Sequence, residues 1–176
     1  MDHRLMHPFR IRAAQAADVA ALMRLKRALA EGENAVHAVR ATTADWLRDA
    51  FGPHAGFTAF VAEAGEPEAV VGMATCSQRT VTGWNGPVVF LQDLFVEPEF
   101  RKHGIASALV ARVAAYAHDL GSPIVELTVR AGNPAQDFYR RHGFMHLPEC
   151  LTYVIAGPAL ASLADRDKEQ NLALTG

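Results

Sequence analysis

Hydrophobic and polar positions follow two rhythms along this chain. A period near 3.6 residues marks helices, and a period of two, or an unbroken apolar run, marks strands. Phe9 to Ala13 reads as a first strand. A helical stripe follows from Asp18, its expected cap, to about Ala30. Thr43 is the expected cap of a second helix that ends near Gly52-Pro53. Phe57 to Ala64 and Val70 to Gln78 read as strands joined at Gly65-Glu66-Pro67, hence an antiparallel hairpin. After a turn at 82–87 comes Val88 to Val96, an almost continuous apolar run that fits a central strand covered on both faces. Ile105, Leu109, Val113, Tyr116 and Leu120 then recur at helical spacing until Gly121 stops them. Ile124 to Val129 and Leu151 to Ala156 are the last two strands, and Pro158 to Ala164 is a short helix. This order predicts an α/β protein with one domain over 1–164 and a frayed polar tail at 165–176.

Two stretches carry candidate chemistry. In the first, the apolar strand runs through Leu94, Phe95 and Val96 into a proline break, then Arg101-Lys102-His103-Gly104-Ile105-Ala106-Ser107 opens a helix. A helix start leaves about four N–H groups without intrahelical partners, and the helix dipole adds partial positive charge there. Gly104 and Ala106 are small, so an anion can approach the backbone, and Arg101, Lys102 and His103 add side-chain donors. The arrangement suits a diphosphate. In the second stretch, Asn133 is a candidate N-cap with Pro134 at the first helical position, a short helix carries Phe138 and Tyr139, and Gly143 ends it.

Composition narrows the class. A chain of 176 residues can bury one core. Half of the residues are hydrophobic, yet no apolar run approaches the roughly 18 that span a membrane. Met1 to Arg10 lacks the apolar core of a signal peptide. A net charge of −2 argues against a broad nucleic-acid footprint. Cys76 and Cys150 lack metal-like or disulfide-like spacing, so a reduced, cytoplasmic setting is the expectation. His142 and His146 lie four apart with Gly143 between them, and read as surface residues with no metal between them.

Taken together, the Arg101-x-x-Gly104-x-Ala106 turn after a strand and the later Asn133, Tyr139, Gly143-Phe144 series resemble the Gcn5-related N-acetyltransferase superfamily over roughly residues 9 to 160. Within it the chain looks most like the spermidine/spermine (diamine) acetyltransferase group, through the helix at 20–30, the segment Thr42 to Gly52, Trp84-Asn85-Gly86, and Leu91-Gln92-Asp93-Leu94-Phe95-Val96. The resemblance implies a mixed central sheet of six to seven strands flanked by helices and splayed between the fourth and fifth strands. It implies acetyl-coenzyme A as cosubstrate, no metal, a small-molecule amine as acceptor, and a homodimer with the last strand near the interface. Protein or peptide amines, and a non-catalytic acyl-coenzyme A module, stay open as alternatives.

The site residues implied follow from the same motifs. Main-chain groups of Leu94, Phe95 and Val96 would hold the pantetheine arm and thioester, and residues 101–107 with Asn133 the rest of the cofactor. Tyr139 would protonate the leaving thiolate, which a phenol of ordinary pKa, about 10, can do. The helix is a residue shorter than in many relatives, so Phe138 could take its face. Glu31, Glu33, Trp84, Gln92 and Asp93 would border the acceptor. The group's usual Glu is Gln92 here, and an amide takes no proton near neutral pH. An alkylamine of pKa about 10.4 is only roughly 0.1% neutral at pH 7. Water chains to Asp93, Glu97, Glu31 or Glu33, or a less basic acceptor, are the ways around this.

Overall fold

The computed structural model describes residues 8–65, 67, 69–83 and 86–174, with side chains to residue 165. Trp84 therefore lies outside the described residues. The chain forms two compact units, Met1–Asn133 and Pro134–Gly176.

The first unit is built on a five-stranded mixed sheet in the order β1-β2-β3-β4-β5. The strands are β1 (Phe9–Ala13), β2 (Thr58–Ala64), β3 (Ala69–Thr80), β4 (Pro87–Val96) and β5 (Val125–Glu126). The first four pair antiparallel, β2 and β3 as the expected hairpin, whereas β5 pairs parallel to β4. A parallel neighbour needs a crossover, and the helix α3 (Ile105–Asp119) supplies it. Two further helices, α1 (Val19–Gly32) and α2 (Thr43–Phe51), stand between β1 and β2 in the chain.

Period-two alternation sorts the sheet residues to two faces. Ala59, Val61, Met73 and Phe95 join Val19, Leu22, Met23 and Leu25 of α1 and Trp46 of α2 in one cluster. Phe60 faces the other way, edge-on to Tyr116 of α3 with ring centroids 5.6 Å apart. Ile105, Leu109 and Val113 of α3 are buried in that second layer. Each such side chain contributes about 1.5–3 kcal/mol through burial, so both faces of the sheet hold the unit together.

Local signals set the helix ends with small offsets from the sequence reading. The cap of α2 is Thr42, whose hydroxyl accepts the Asp45 N–H (3.2 Å) while the Asp45 carboxylate accepts the Thr42 N–H (2.8 Å). Asp18 stands at the N-cap position of α1, as expected, but its side chain makes no capping bond to the helix. Its carboxylate accepts the Gln15 N–H at 2.7 Å and two bonds from Arg12 at 2.6 and 2.8 Å. Arg12 also binds Glu63 at 2.6 Å, tying β1, β2 and the start of α1 together.

Two expectations are corrected. The sheet has five strands among the described residues, not six or seven: Leu151 to Ala156 forms no strand. An apolar run makes a strand only when a neighbour takes up its N–H and C=O groups, and the second unit contains none. Likewise β5 keeps two residues of the expected Ile124–Val129. The second unit holds the helices α4 (Ala135–Arg141) and α5 (Gly157–Leu174). The latter runs well past Ala164, where a short helix was expected to stop. No helix is long and apolar enough to cross a membrane among the described residues.

The Arg12 network makes acid stability testable. Hydrogen bonds from Arg12 hold the Asp18 carboxyl below its ordinary pKa, and those from Arg12 and Arg10 do the same for Glu63. Depressed carboxyls add stability above their unfolded pKa of about 4, and that contribution disappears as pH falls through the folded values. In denaturant titrations, Asp18→Asn is expected to be about 1–3 kcal/mol less stable at pH 7. It should lose less than the wild type on going to pH 3; parallel losses in both would remove the carboxylate from the account.

Candidate active site

The C-terminal half of β4 is where the sheet opens. Its register with β5 covers only Val89↔Val125 and Phe90↔Glu126, while its register with β3 continues to Val96↔Gly72. Residues 91–96 of β4 are thus paired on one side. The Glu97 N–H bonds Val71 O at 2.9 Å, on the β3 side. Main-chain direction alternates along a strand, so the N–H and C=O groups of Leu94 and Val96 face the open side.

A bulge lies at the head of this segment. Asp93 pairs with Thr75 but Leu91 pairs with Cys76, which leaves Gln92 as an extra residue without a partner in β3. Bulges of this kind turn a side chain out of the ladder. Gln92 is exposed, while Leu91, Phe95 and Val96 are buried.

Helix α1 pins both ends of the open segment. Lys26 Nζ stands 2.5 Å from Asp93 Oδ1, and the Thr75 hydroxyl donates to Asp93 Oδ2 at 2.9 Å. Arg24 forms an ion pair with Glu97 and donates to Val70 O at 2.8 Å. Both carboxylates nearest Gln92 in sequence are therefore matched by cations of α1. The sequence reading named Asp93 and Glu97 but not Lys26, Arg24 or Thr75. Nothing local marks them, since a lysine on a half-buried helix face looks like any surface lysine.

Beyond Val96 the chain makes one 3-10 turn, Pro98–Phe100, and reaches α3 through two left-handed residues, Lys102 (φ 65°) and Gly104 (φ 86°). A Cβ at Gly104 would meet nothing within 4 Å, so glycine is favoured there by backbone angle rather than by crowding. The first helical bond is Ala108 N–H to Gly104 O at 3.0 Å, so the first-turn N–H groups of Ile105 and Ala106 precede the helical ladder. The Ile105 side chain is buried, so only its backbone is available to a ligand. Arg101 folds inward: its Nε donates to Val96 O at 2.9 Å and its guanidinium lies 5.4 Å from the Phe95 ring centre. Lys102 is exposed and His103 is half-buried.

The remaining candidates are spread out. Glu31 stands in the last turn of α1 and Glu33 just after it, both exposed. Arg130 donates to the Glu33 carbonyl at 3.4 Å, which places the segment after β5 beside the end of α1. Asn133 does not cap α4, because Pro134 takes that position; its N–H bonds Arg130 O at 3.1 Å. In the second unit, Tyr139 packs edge-on against Phe144 with centroids 5.5 Å apart, and Phe144 N–H bonds Tyr139 O at 3.1 Å. Phe138 meets the His142 ring at 4.3 Å and the Tyr139 ring edge-on at 5.3 Å, so the two aromatics lie side by side in one local cluster. Among the described residues no group of three or more His, Cys, Asp or Glu gathers to hold a metal ion.

Known proteins share this layout. The model of the acetyltransferase (GNAT) family matches residues 20–144. Thialysine N-epsilon-acetyltransferase of Bos taurus is 34% identical over 146 residues, covering 79% of this chain and 85% of that protein. Spermidine/spermine N(1)-acetyltransferase-like protein 1 of Homo sapiens is 30% identical over 147 residues, or 81% of this chain, although the chain spans only 21% of that longer relative. The aminoglycoside N-acetyltransferase AAC(6')-Iy, solved in complex with CoA, superposes with a TM-score of 0.68 at 23% identity, over 89% of this chain and all of that one. At that identity the likeness is one of fold.

The Lys26–Asp93 pair can be measured directly. Lys26→Met leaves a mostly buried carboxylate with one hydroxyl donor, and should cost about 1–3 kcal/mol in denaturant unfolding. Adding Asp93→Asn to it should cost less than the two single changes summed. Strict additivity would mean that the pair does not fasten α1 to β4.

Proposed function

The chain belongs to the acetyltransferase (GNAT) family and is an acetyl-coenzyme A-dependent N-acetyltransferase, and on that premise we propose that its acceptor is a small primary amine of the polyamine or thialysine kind. The observation that carries the reading is the open edge of β4, with the Leu94 and Val96 main chain unpaired by β5 just before the turn into α3.

In this proposal the pantetheine arm lies along that edge as an added strand would, its amides matched by the main chain of Leu94 and Val96, while the main chain of Phe95 between them is turned to β3. An N–H of the same stretch polarises the thioester carbonyl and stabilises the oxyanion that forms when the amine attacks. Donors of this type are worth about 3–4 kcal/mol of barrier in hydrolases. The diphosphate sits on the first-turn amides of Ile105, Ala106 and Ser107, behind the left-handed residues Lys102 and Gly104, with Arg101, Lys102 and His103 around it. Arg101 acts first on the protein itself, since its bond to Val96 O and its stacking on Phe95 fix the corner between strand end and turn. Asn133 completes the cofactor side.

Chemistry at the thioester needs an acid for the departing sulfur. Tyr139 is assigned that role from its place in the motif, with an ordinary phenol adequate for the transfer. Glu31, Glu33, Trp84, Gln92 and Asp93 border the acceptor, the two glutamates supplying negative charge for a cationic amine. The polyamine and thialysine acceptors enter through the names of the relatives, which span most of this chain. A homodimer in the cytoplasm belongs to the same reading and rests on likeness to the diamine group; light scattering on the purified protein tests the oligomer.

Thiol release with a panel of diamines, polyamines and amino acids should show turnover on small primary amines. Activity confined to peptides would reject the acceptor class. Tyr139→Phe is expected to lower kcat at least tenfold with acetyl-coenzyme A affinity nearly unchanged. Wild-type turnover in that variant would take Tyr139 out of the mechanism.

A further inference from the structure

We infer that this enzyme provides no carboxylate base on its central strand and instead acetylates amines that arrive already neutral, so that it selects acceptors by low basicity. The inference deepens the amine-acetyltransferase reading and rests on it.

Three side chains carry the argument. Gln92 is the extra residue of the β4 bulge, exposed, and an amide without basicity. Asp93 follows it, but both of its oxygens are engaged, one by Lys26 at 2.5 Å and the other by Thr75 at 2.9 Å. Thr75 is fully buried and faces Asp93 from the adjoining strand, so this arrangement is set by the core. Glu97 ends the open segment and is paired with Arg24. Both carboxylates are thus occupied by cations of α1.

Among the described residues, the elements packed on β4 bring to it mainly cations and groups already engaged, the Tyr116 hydroxyl of α3 included, which is bonded to Thr58 and Gln78. From β3, Arg79 is paired with Glu126 of β5, and Cys76 is buried with its thiol pushed up to about 11. From α3, Arg112 lies over the Phe60 ring at 4.6 Å. From α1, the groups directed at the strand are the cations Arg24 and Lys26. Glu31 and Glu33 are exposed to water at the end of α1, and the test below separates them from the inference.

The chemical consequence concerns the nitrogen lone pair. Attack forms the C–N bond, the C–S bond breaks, and the sulfur leaves with its electron pair. The proton shed by the nitrogen is balanced by the one the thiolate gains. None of this starts from an ammonium ion, which has no lone pair. An amine of pKa about 10.4 is neutral in fewer than about one molecule in a thousand at pH 7, whereas one of pKa near 8 is about one-tenth neutral. With no base on the strand, that difference of about two orders of magnitude passes into kcat/KM, reduced by the weaker nucleophilicity of the less basic amine.

The experiment is a series of primary amines of similar length with pKa from about 8 to about 10.5, assayed by free thiol release across pH 6 to 10. We expect kcat/KM at pH 7 to rise several-fold for each unit of lowered amine pKa. For each amine it should climb with pH until that amine's own pKa. In Gln92→Glu, a surface change at a bulge, the most basic amines should gain at least tenfold and the dependence on amine pKa should flatten. Wild-type profiles that bend at one common pH for every amine would reveal an enzyme base, Glu31 or Glu33 included, and overturn the inference. So would a kcat/KM independent of amine pKa. Absence of turnover with every amine would overturn the acceptor reading itself, which is a distinct result.

Discussion

A strand that keeps one neighbour and loses the other is the constraint on which this molecule turns. Buried backbone groups must find partners, and along most of β4 they do so on both sides or against β3. At Phe90 the parallel pairing with β5 ends, and the chain continues for six more residues to Val96. A one-sided strand end would twist or fray if left to itself. Here buried side chains lie beneath it, Phe95 among the α1 residues and Val96 next to Gly72, where a Cβ on Gly72 would come within 3.1 Å of Phe95 O. The open edge is thus backed by packed side chains.

Ion pairs from one helix frame that edge. Lys26 reaches Asp93 at its start and Arg24 reaches Glu97 at its end. Exposed pairs contribute little to stability, but these act at the two places where β4 departs from regular pairing, the bulge and the exit turn. Their value is positional. The same pairs engage the two carboxylates, Asp93 and Glu97, that flank residues 94–96 of the open edge.

The second unit adds a different kind of constraint. Its short helix α4 is closed by Gly143 (φ 84°) with the Gly143 N–H on Arg140 O at 3.0 Å, and this ending turns Phe144 back onto Tyr139. Tyr139 is thereby fixed by contacts a few residues away, so its orientation within the unit is a local matter. The motif in which it sits is equally local, which is why it could be recognised in one dimension.

How much was legible in the sequence follows from the range of the forces. Phe9–Ala13, the helices at 19–32, 43–51 and 105–119, the 58–80 hairpin and the turn from Val96 to Gly104 were all readable, because periodicity, capping residues and left-handed glycine act over a few neighbours. Tertiary structure decided the rest. The bulge at Gln92 depends on register with a strand about seventeen residues earlier. The partner of Asp93 stands 67 residues away in α1. The shortening of β5 and the failure of Leu151–Ala156 to become a strand depend on whether a neighbour is present to accept their backbone hydrogen bonds. The chain by itself determined most of the elements and the left-handed turn into the helix at 105–119. Only the folded arrangement decided which strand edge stays open and which carboxylates are already matched, because those are properties of pairs distant in sequence.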